Sequence, residues 1–130
     1  MSLSRTQTSR LKKFFKSRPE IKVVYLFGSQ ATGQASALSD FDFAVYLDPK
    51  FKDNAFDMLI ELSGRIPLLI GTDRVDVVII NSIDNLILKN SIISQGIVLY
   101  EVPGYRLDLE ISIAGEYRDF RILERQYYPD

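Results

Sequence analysis

The run "IKVVYLF" at residues 21–27 constrains the fold of this chain more than any other segment. Lys22 is its only charged residue, and β-branched or aromatic side chains dominate the rest. A short, nearly continuous apolar run of this kind is typical of a strand covered on both faces. Such a strand needs packed layers on either side, so the sequence predicts a sheet flanked by helices.

Three further segments are rich in β-branched and aromatic residues and predict strands. They are residues 40–47, 74–80 and 97–101. The linker before the second strand is polar, with a short helix expected near residues 30–33. The order of elements predicts an α/β (α+β) fold, with a small mixed β-sheet of about four strands flanked by helices.

Two helices are predicted in the N-terminal half by apolar residues at helical spacing. The first covers residues 4–17 and ends at Pro19, which cannot continue a helix. The second covers residues 52–66, bounded by Gly64 and Pro67. The apolar residues expected on the buried side of the first helix are Leu11, Phe14 and Phe15.

Two more helices are predicted in the C-terminal half. Asn81 or Ser82 is expected to cap one of them, which ends at Gly96. Pro103 opens the last helix. The apolar residues on one stripe of that last helix are Leu107, Ile111, Ala114, Tyr117 and Phe120.

The length and the net charge of the chain limit the number of domains and the kinds of binding partner that are expected. At 130 residues the chain is expected to form one domain over residues 1–130, with an N-terminal helix in 1–19 and a C-terminal helix and tail in 103–130. Its net charge of −1 gives no general case for nucleic-acid or membrane binding. No apolar run reaches the ~20 residues of a membrane span, and no signal peptide is visible, so a cytoplasmic location is expected.

The chain contains neither histidine nor cysteine. Nucleophilic catalysis by Ser-His or Cys-His pairs is therefore excluded, as is a thiolate zinc site. Any general base must be a carboxylate, a lysine, a tyrosine or water.

Two carboxylates open the second predicted strand, in the segment "SDFDFAVYL". Asp40 and Asp42 are two residues apart, so in a strand they point to the same face. Two ionised carboxylates so close repel one another, and a bound Mg²⁺ would relieve that repulsion. Phe41 and Phe43 then face the core. The pair also has a plainer interpretation, in which Asp40 caps a turn.

A third acid, Asp76, interrupts the valine-rich strand "RVDVVII". An aspartate among valines is unfavourable unless it is paired or binds a metal. If this strand lies beside the second one, Asp76 joins the other two acids on one face. Three carboxylates can hold two divalent ions, the arrangement that supports phosphoryl displacement.

Gly28 and Ser29 follow the first strand and precede the acids. Glycine lets a phosphate approach the backbone closely, and the serine hydroxyl can donate a hydrogen bond to it. The segment "GSQATG" lacks the glycine spacing and the lysine of a Walker loop.

These residues together resemble a known family. "GSQATGQASALSDFD" is similar to the Gly-Ser-x10-Asp-x-Asp signature of the DNA polymerase β-like nucleotidyltransferase superfamily. The small size resembles its minimal nucleotidyltransferase branch. "RVDVVIINSIDNLILKNSIISQGIVLYE" and "EYRDFRILERQYYPD" extend the likeness to MntA-like antitoxins, over about residues 23–128.

The resemblance implies an enzyme that moves AMP from ATP to a tyrosine of a partner HEPN-domain toxin, a ribonuclease, and so silences it. Asp40, Asp42 and Asp76 would hold two Mg²⁺ ions, with Asp76 as a base towards the acceptor hydroxyl. The nucleotide would be bound by Gly28, Ser29 and Ser39. Neither a membrane nor direct nucleic-acid binding is expected, and the oligomeric state is left open.

One departure from the family concerns the residues after Gly-Ser. Relatives often carry basic residues there, as in "GSRARG", whereas this chain has Gln30 and Thr32. Arg74, Lys89 or the N-terminal helix could neutralise the triphosphate instead. Two alternatives therefore stay open: an antitoxin that neutralises the toxin by binding alone, and a small-molecule nucleotidyltransferase.

Overall fold

The computed structural model describes residues 3–33 and 40–128 of the chain. Its strands are β1 (Ile21–Phe27), β2 (Phe41–Leu47), β3 (Val75–Ile79) and β4 (Ile97–Glu101). Its helices are α1 (Arg5–Lys16), α2 (Ser29–Thr32), α3 (Ala55–Ile70), α4 (Leu86–Gln95) and α5 (Arg106–Tyr127), with 3-10 turns at Pro49–Asn54 and Ile80–Ser82.

The four strands form one mixed sheet in the order β3-β2-β1-β4. β1 is antiparallel to both of its neighbours, whereas β2 and β3 run parallel. The predicted fold class, a small mixed sheet flanked by helices, is confirmed. The parallel pairing of β2 with β3 is the feature that positions the acids discussed below.

β1 lies in the interior of the sheet and buries side chains on both of its faces. Val24 and Leu26 belong to one apolar cluster, and Val23 and Tyr25 belong to a second one. The first cluster includes Leu11 and Phe15 of α1 with Leu62 and Ile66 of α3. The second includes Ile92 of α4 with Leu109 and Ile113 of α5. The prediction that this strand is covered on both faces is confirmed.

The predicted end of the second helix at Gly64 and Pro67 is wrong. α3 continues through both residues to Ile70 and ends at Gly71, whose φ of 78° suits glycine. A helical glycine costs about 1 kcal/mol and an interior proline about 3 kcal/mol. Burial of Ile66 and Ile70 stabilises the helix by roughly 1.5–3 kcal/mol each, which offsets the cost of Gly64 and Pro67.

The predicted cap of the next helix is also wrong. α4 is capped by Asn85, whose side chain accepts a hydrogen bond of 3.1 Å from the Leu88 N–H. Asn81 lies in a 3-10 turn, and its side chain forms hydrogen bonds with the last residue of β2. Its side chain accepts from the Leu47 N–H and donates to the Leu47 carbonyl, both at 2.9 Å. The Asn81 amide therefore stabilises the end of a strand rather than the start of a helix.

The stripe predicted to be apolar on the last helix is not its buried side. Leu107 and Ile111 are 69% and 62% exposed, whereas Leu109 and Ile113 are buried. α5 begins at Arg106, three residues after Pro103. No helix in the described ranges is both long and apolar enough to cross a bilayer.

Candidate active site

Gly28 lies against Asp42 at one end of the β1–β2 pair. Phe27 and Asp42 are register partners, so the residue after Phe27 passes beside the Asp42 side chain. A Cβ atom added at Gly28 would overlap a carboxylate oxygen of Asp42. Gly28 also has a φ of 74° and a ψ of −151°, a conformation almost confined to glycine. The backbone conformation therefore favours glycine here, and a larger residue would also displace the Asp42 carboxylate.

Asp42 and Asp76 lie directly side by side across the parallel pair of β2 and β3. Asp40 immediately precedes β2, two residues before Asp42. Asp42 is half-buried, and Asp40 and Asp76 are exposed. The structure therefore brings the three predicted acids to the same end of two adjacent strands. Phe41 and Phe43, the alternate residues, are buried as predicted.

The closeness of the three acids affects the ionisation of Asp42. Burial raises the pKa of the Asp42 carboxyl above its ordinary value, and the charges of Asp76 and then Asp40 raise it further. Ionised Asp42 is thus disfavoured by two neighbouring negative charges as well as by desolvation. A cation between these groups would reverse that penalty.

The donor set of this site consists of carboxylate oxygens. Hard divalent cations such as Mg²⁺ prefer oxygen ligands, so the chemistry of the three acids fits such an ion. As the side chains stand, no group of three or more acids within residues 3–33 and 40–128 is arranged to hold a metal. The case that these three acids could bind a divalent cation therefore depends on their oxygen ligands and on their position at the same end of two adjacent strands.

The short helix α2 carries the residues that follow Gly28. Ser29 is its first residue and is half-buried. Gln30 is buried, 7% exposed, and its amide nitrogen and oxygen have no hydrogen-bond partner among the described residues. Ser39, predicted to bind the nucleotide, lies outside the described residues. Sequence reasoning placed Gln30 in a polar linker, and nothing in the local pattern indicated its burial.

Arg74 is one of the candidate cations, and it lies two residues before Asp76 in the chain. It immediately precedes β3, and its carbonyl accepts a hydrogen bond of 2.8 Å from the N–H of Phe41. Its backbone is therefore adjacent to the start of β2, where Asp40 and Asp42 lie. Lys89 lies in α4, which follows β3 in the chain.

Comparison with known proteins agrees with this fold. Residues 9–103 match the model of the family described as "Polymerase beta, Nucleotidyltransferase". The match covers more than half of the chain and includes every residue of the candidate site. The chain belongs to this nucleotidyltransferase family.

A similar curated protein is the protein adenylyltransferase MntA of Aphanizomenon flos-aquae. It is 38% identical over 97 residues, which span 69% of this chain and 63% of the relative. The matched region thus covers less than two thirds of that protein.

Two solved structures resemble the fold. One is a toxin–antitoxin with AMP-PNP, at a TM-score of 0.70 and 23% identity, covering 92% of this chain and 93% of that chain. The other is a tri-AMPylated Shewanella oneidensis HEPN toxin in complex with MNT antitoxin. It has a TM-score of 0.64 and 21% identity, and covers 93% of this chain and 91% of that chain. At these identities the likeness establishes a shared fold.

Proposed function

We propose that this protein is a Mg²⁺-dependent nucleotidyltransferase. It moves AMP from ATP to a tyrosine hydroxyl of a partner HEPN toxin and so acts as its antitoxin. The observation that carries the proposal is the register of Asp42 against Asp76 on parallel strands, with Asp40 two residues away and Gly28 against Asp42. The family match supports the reaction class, and the similarity to an MntA adenylyltransferase supports a protein acceptor.

In this proposal Asp40, Asp42 and Asp76 hold the Mg²⁺ ions. When bound, the ions offset the charge of the phosphates and of the attacking and leaving oxygens. Asp76 is exposed at the edge of the site, where an incoming acceptor can reach it. Its carboxylate accepts the tyrosine proton while the tyrosine oxygen bonds to the α-phosphorus, and pyrophosphate leaves with the electron pair of the broken P–O bond.

Gly28, Ser29 and Ser39 are proposed to bind the triphosphate. Gly28 lacks a side chain, so a phosphate can approach its backbone closely, beside the metal ion that the Asp42 carboxylate would hold. The Ser29 hydroxyl is a hydrogen-bond donor on the next residue. Ser39 would contribute a second hydroxyl immediately before Asp40.

A direct test measures label transfer from ATP labelled on its α-phosphate. The protein, Mg²⁺ and a purified HEPN partner are incubated, and label on the partner is located by mass spectrometry. The Asp42→Asn variant should lose transfer, whereas Asp84→Asn should retain it because Asp84 is an exposed acid that follows β3 and is not part of the candidate site. Wild-type protein that leaves the partner unlabelled, or full transfer by Asp42→Asn, contradicts the proposal.

The exposed apolar surface of α5 favours a second candidate, neutralisation by binding alone. A cell-protection assay separates the two functions. If cells producing the toxin survive equally well with Asp42→Asn and with the wild-type protein, binding alone suffices. Survival that requires the intact Asp42 carboxylate supports AMP transfer. Label on a small molecule rather than on the partner would instead indicate a small-molecule acceptor.

A further inference from the structure

α5 extends well beyond the part of the fold that it helps to cover. It spans Arg106–Tyr127, yet its buried residues are only Leu109 and Ile113, both in its first half. From residue 114 to its end the helix continues for about 20 Å without a buried residue. An isolated helical segment of this length gains little stability from its own hydrogen bonds, so an apolar face along it is expected to need a packing partner.

The face that extends outward is the same face that is buried at the start. Ile113 follows Leu109 after four residues, and Phe120 follows Ile113 after seven, which is two helical turns. Leu123 and Tyr127 follow after three and four more, so all five lie on one side of the helix. We call Phe120, Leu123 and Tyr127 the α5 seam. They are 37%, 53% and 76% exposed. Their spacing is that of a helix–helix seam.

The residues beside the seam are acidic. Glu116 lies on the line of the seam, and Asp119 and Glu124 flank it, one on each side. Arg121 forms an exposed ion pair of 3.0 Å with Glu124 and offsets part of this charge. A second copy packed on the seam, in either direction, would place these flanking acids against acids, which is unfavourable. A helix with basic flanks is therefore the occupant that fits.

We propose that the α5 seam docks an amphipathic helix of the acceptor protein. This inference rests on the proposed function, since the acceptor is the partner that receives AMP. The partner helix places apolar side chains against Phe120, Leu123 and Tyr127 and places Lys or Arg beside Asp119 and Glu124. Docking at the seam holds the acceptor while its tyrosine reaches the acids on β2 and β3.

The test compares two neighbouring substitutions in the full chain. Leu123→Arg puts a cation on the seam, where the partner supplies its own cations. Ile122→Arg is the matched control, because Ile122 is 50% exposed, close to the 53% of Leu123, but points about 100° away around the helix. The dissociation constant for the HEPN partner is measured by calorimetry, and the KM for the partner is measured by label transfer. ATP binding and thermal unfolding are measured as well, to check that each variant is folded.

Leu123→Arg should weaken binding of the partner roughly tenfold or more, as expected for a central apolar anchor. It should raise the KM for the partner with little change in kcat or in ATP affinity. Ile122→Arg should stay within about twofold of the wild type. Asp119→Lys should also weaken binding and should make it less sensitive to salt.

Three results would contradict docking at the α5 seam or the proposed AMP transfer, and they distinguish one from the other. Partner binding and labelling by Leu123→Arg at wild-type levels refutes docking at the seam while leaving the proposed function intact. Tight, seam-dependent binding of a partner that receives no AMP refutes the proposed function and identifies the seam as a docking surface for another purpose. Sedimentation that shows a wild-type dimer, converted to a monomer by Leu123→Arg, assigns the seam to self-association and refutes the proposal.

Discussion

Replacing Asp42 with asparagine should make the protein more stable while abolishing AMP transfer. The Asp42 carboxyl is half-buried between two other acids, and its pKa is raised by burial, by Asp76 and by Asp40. At neutral pH the ionised group therefore lies in surroundings that disfavour its charge. Asparagine has nearly the same shape and no charge, so Asp42→Asn removes this penalty and also removes a ligand of the proposed metal site.

The size of the expected change in the free energy of unfolding follows from the strand pairing. Asp42 and Asp76 are register partners, and adjacent strands lie about 4.8 Å apart. Two unit charges at that separation repel by about 0.9 kcal/mol in a water-like medium and by about 3.5 kcal/mol at an effective dielectric constant of 20. Since Asp76 is exposed, the lower end applies, and the free energy of unfolding should rise by about 1 kcal/mol. For a chain of this size that corresponds to about 3–5 °C in Tm.

Thermal unfolding as a function of pH, without Mg²⁺ and with a chelator present, tests this prediction. A raised pKa means that folded Asp42 holds its proton more tightly than the unfolded chain does. The stability of the wild type should therefore fall, relative to Asp42→Asn, as the pH rises from the ordinary value of 3.8 through the raised pKa. Below 3.8 the two proteins should be equally stable. Asp84→Asn serves as the control for simple loss of one negative charge.

Equal or lower stability of Asp42→Asn at neutral pH would contradict repulsion between Asp42 and the neighbouring acids. So would an advantage that persists below the ordinary pKa, because repulsion between ionised groups cannot act there. High salt should reduce the difference, as it screens the partly exposed charges. Added Mg²⁺ should stabilise the wild type and leave Asp42→Asn unchanged.

Three further substitutions test other parts of the structure by thermal or urea unfolding. Gly28→Ala should cost about 1–3 kcal/mol from its backbone conformation alone and more from overlap with the Asp42 carboxylate; an unchanged Tm would contradict the geometry. Gly64→Ala should instead stabilise α3 by up to about 1 kcal/mol, because open space surrounds that position, and any loss of stability would count against it. Gln30→Met should stabilise the protein by about 1–3 kcal/mol, since it replaces a buried amide without a partner among the described residues; destabilisation would mean that the amide is satisfied.

The strands were the most predictable part of the fold. The bounds of β1 and β4 coincide with the predicted segments at residues 21–27 and 97–101. Short apolar runs between turn residues leave few other arrangements that bury them, so local pattern suffices. α1 was equally clear, because Ser4 caps it in the structure and its apolar residues recur at helical spacing.

The helix boundaries were less predictable where tertiary burial opposed local preference. Gly64 and Pro67 are both unfavourable inside a helix, and local reasoning ended α3 there. The structure continues it because Ile66 and Ile70 reach the core on the far side of those residues. Asn81 had the chemistry of a helix cap, but only the folded chain shows that its amide binds Leu47 of a strand distant in sequence.

Composition and residue spacing already limit the reactive groups available to this protein. Without histidine or cysteine, acids are the natural reactive groups, and the two-residue period of a strand puts Asp40 and Asp42 on one face. The folded chain is needed to show that Asp76 lies beside Asp42, that Gly28 passes against the same carboxylate, and that Gln30 is buried. Those relations depend on pairing between strands far apart along the chain, and no local pattern of side chains specifies which strand lies next to which.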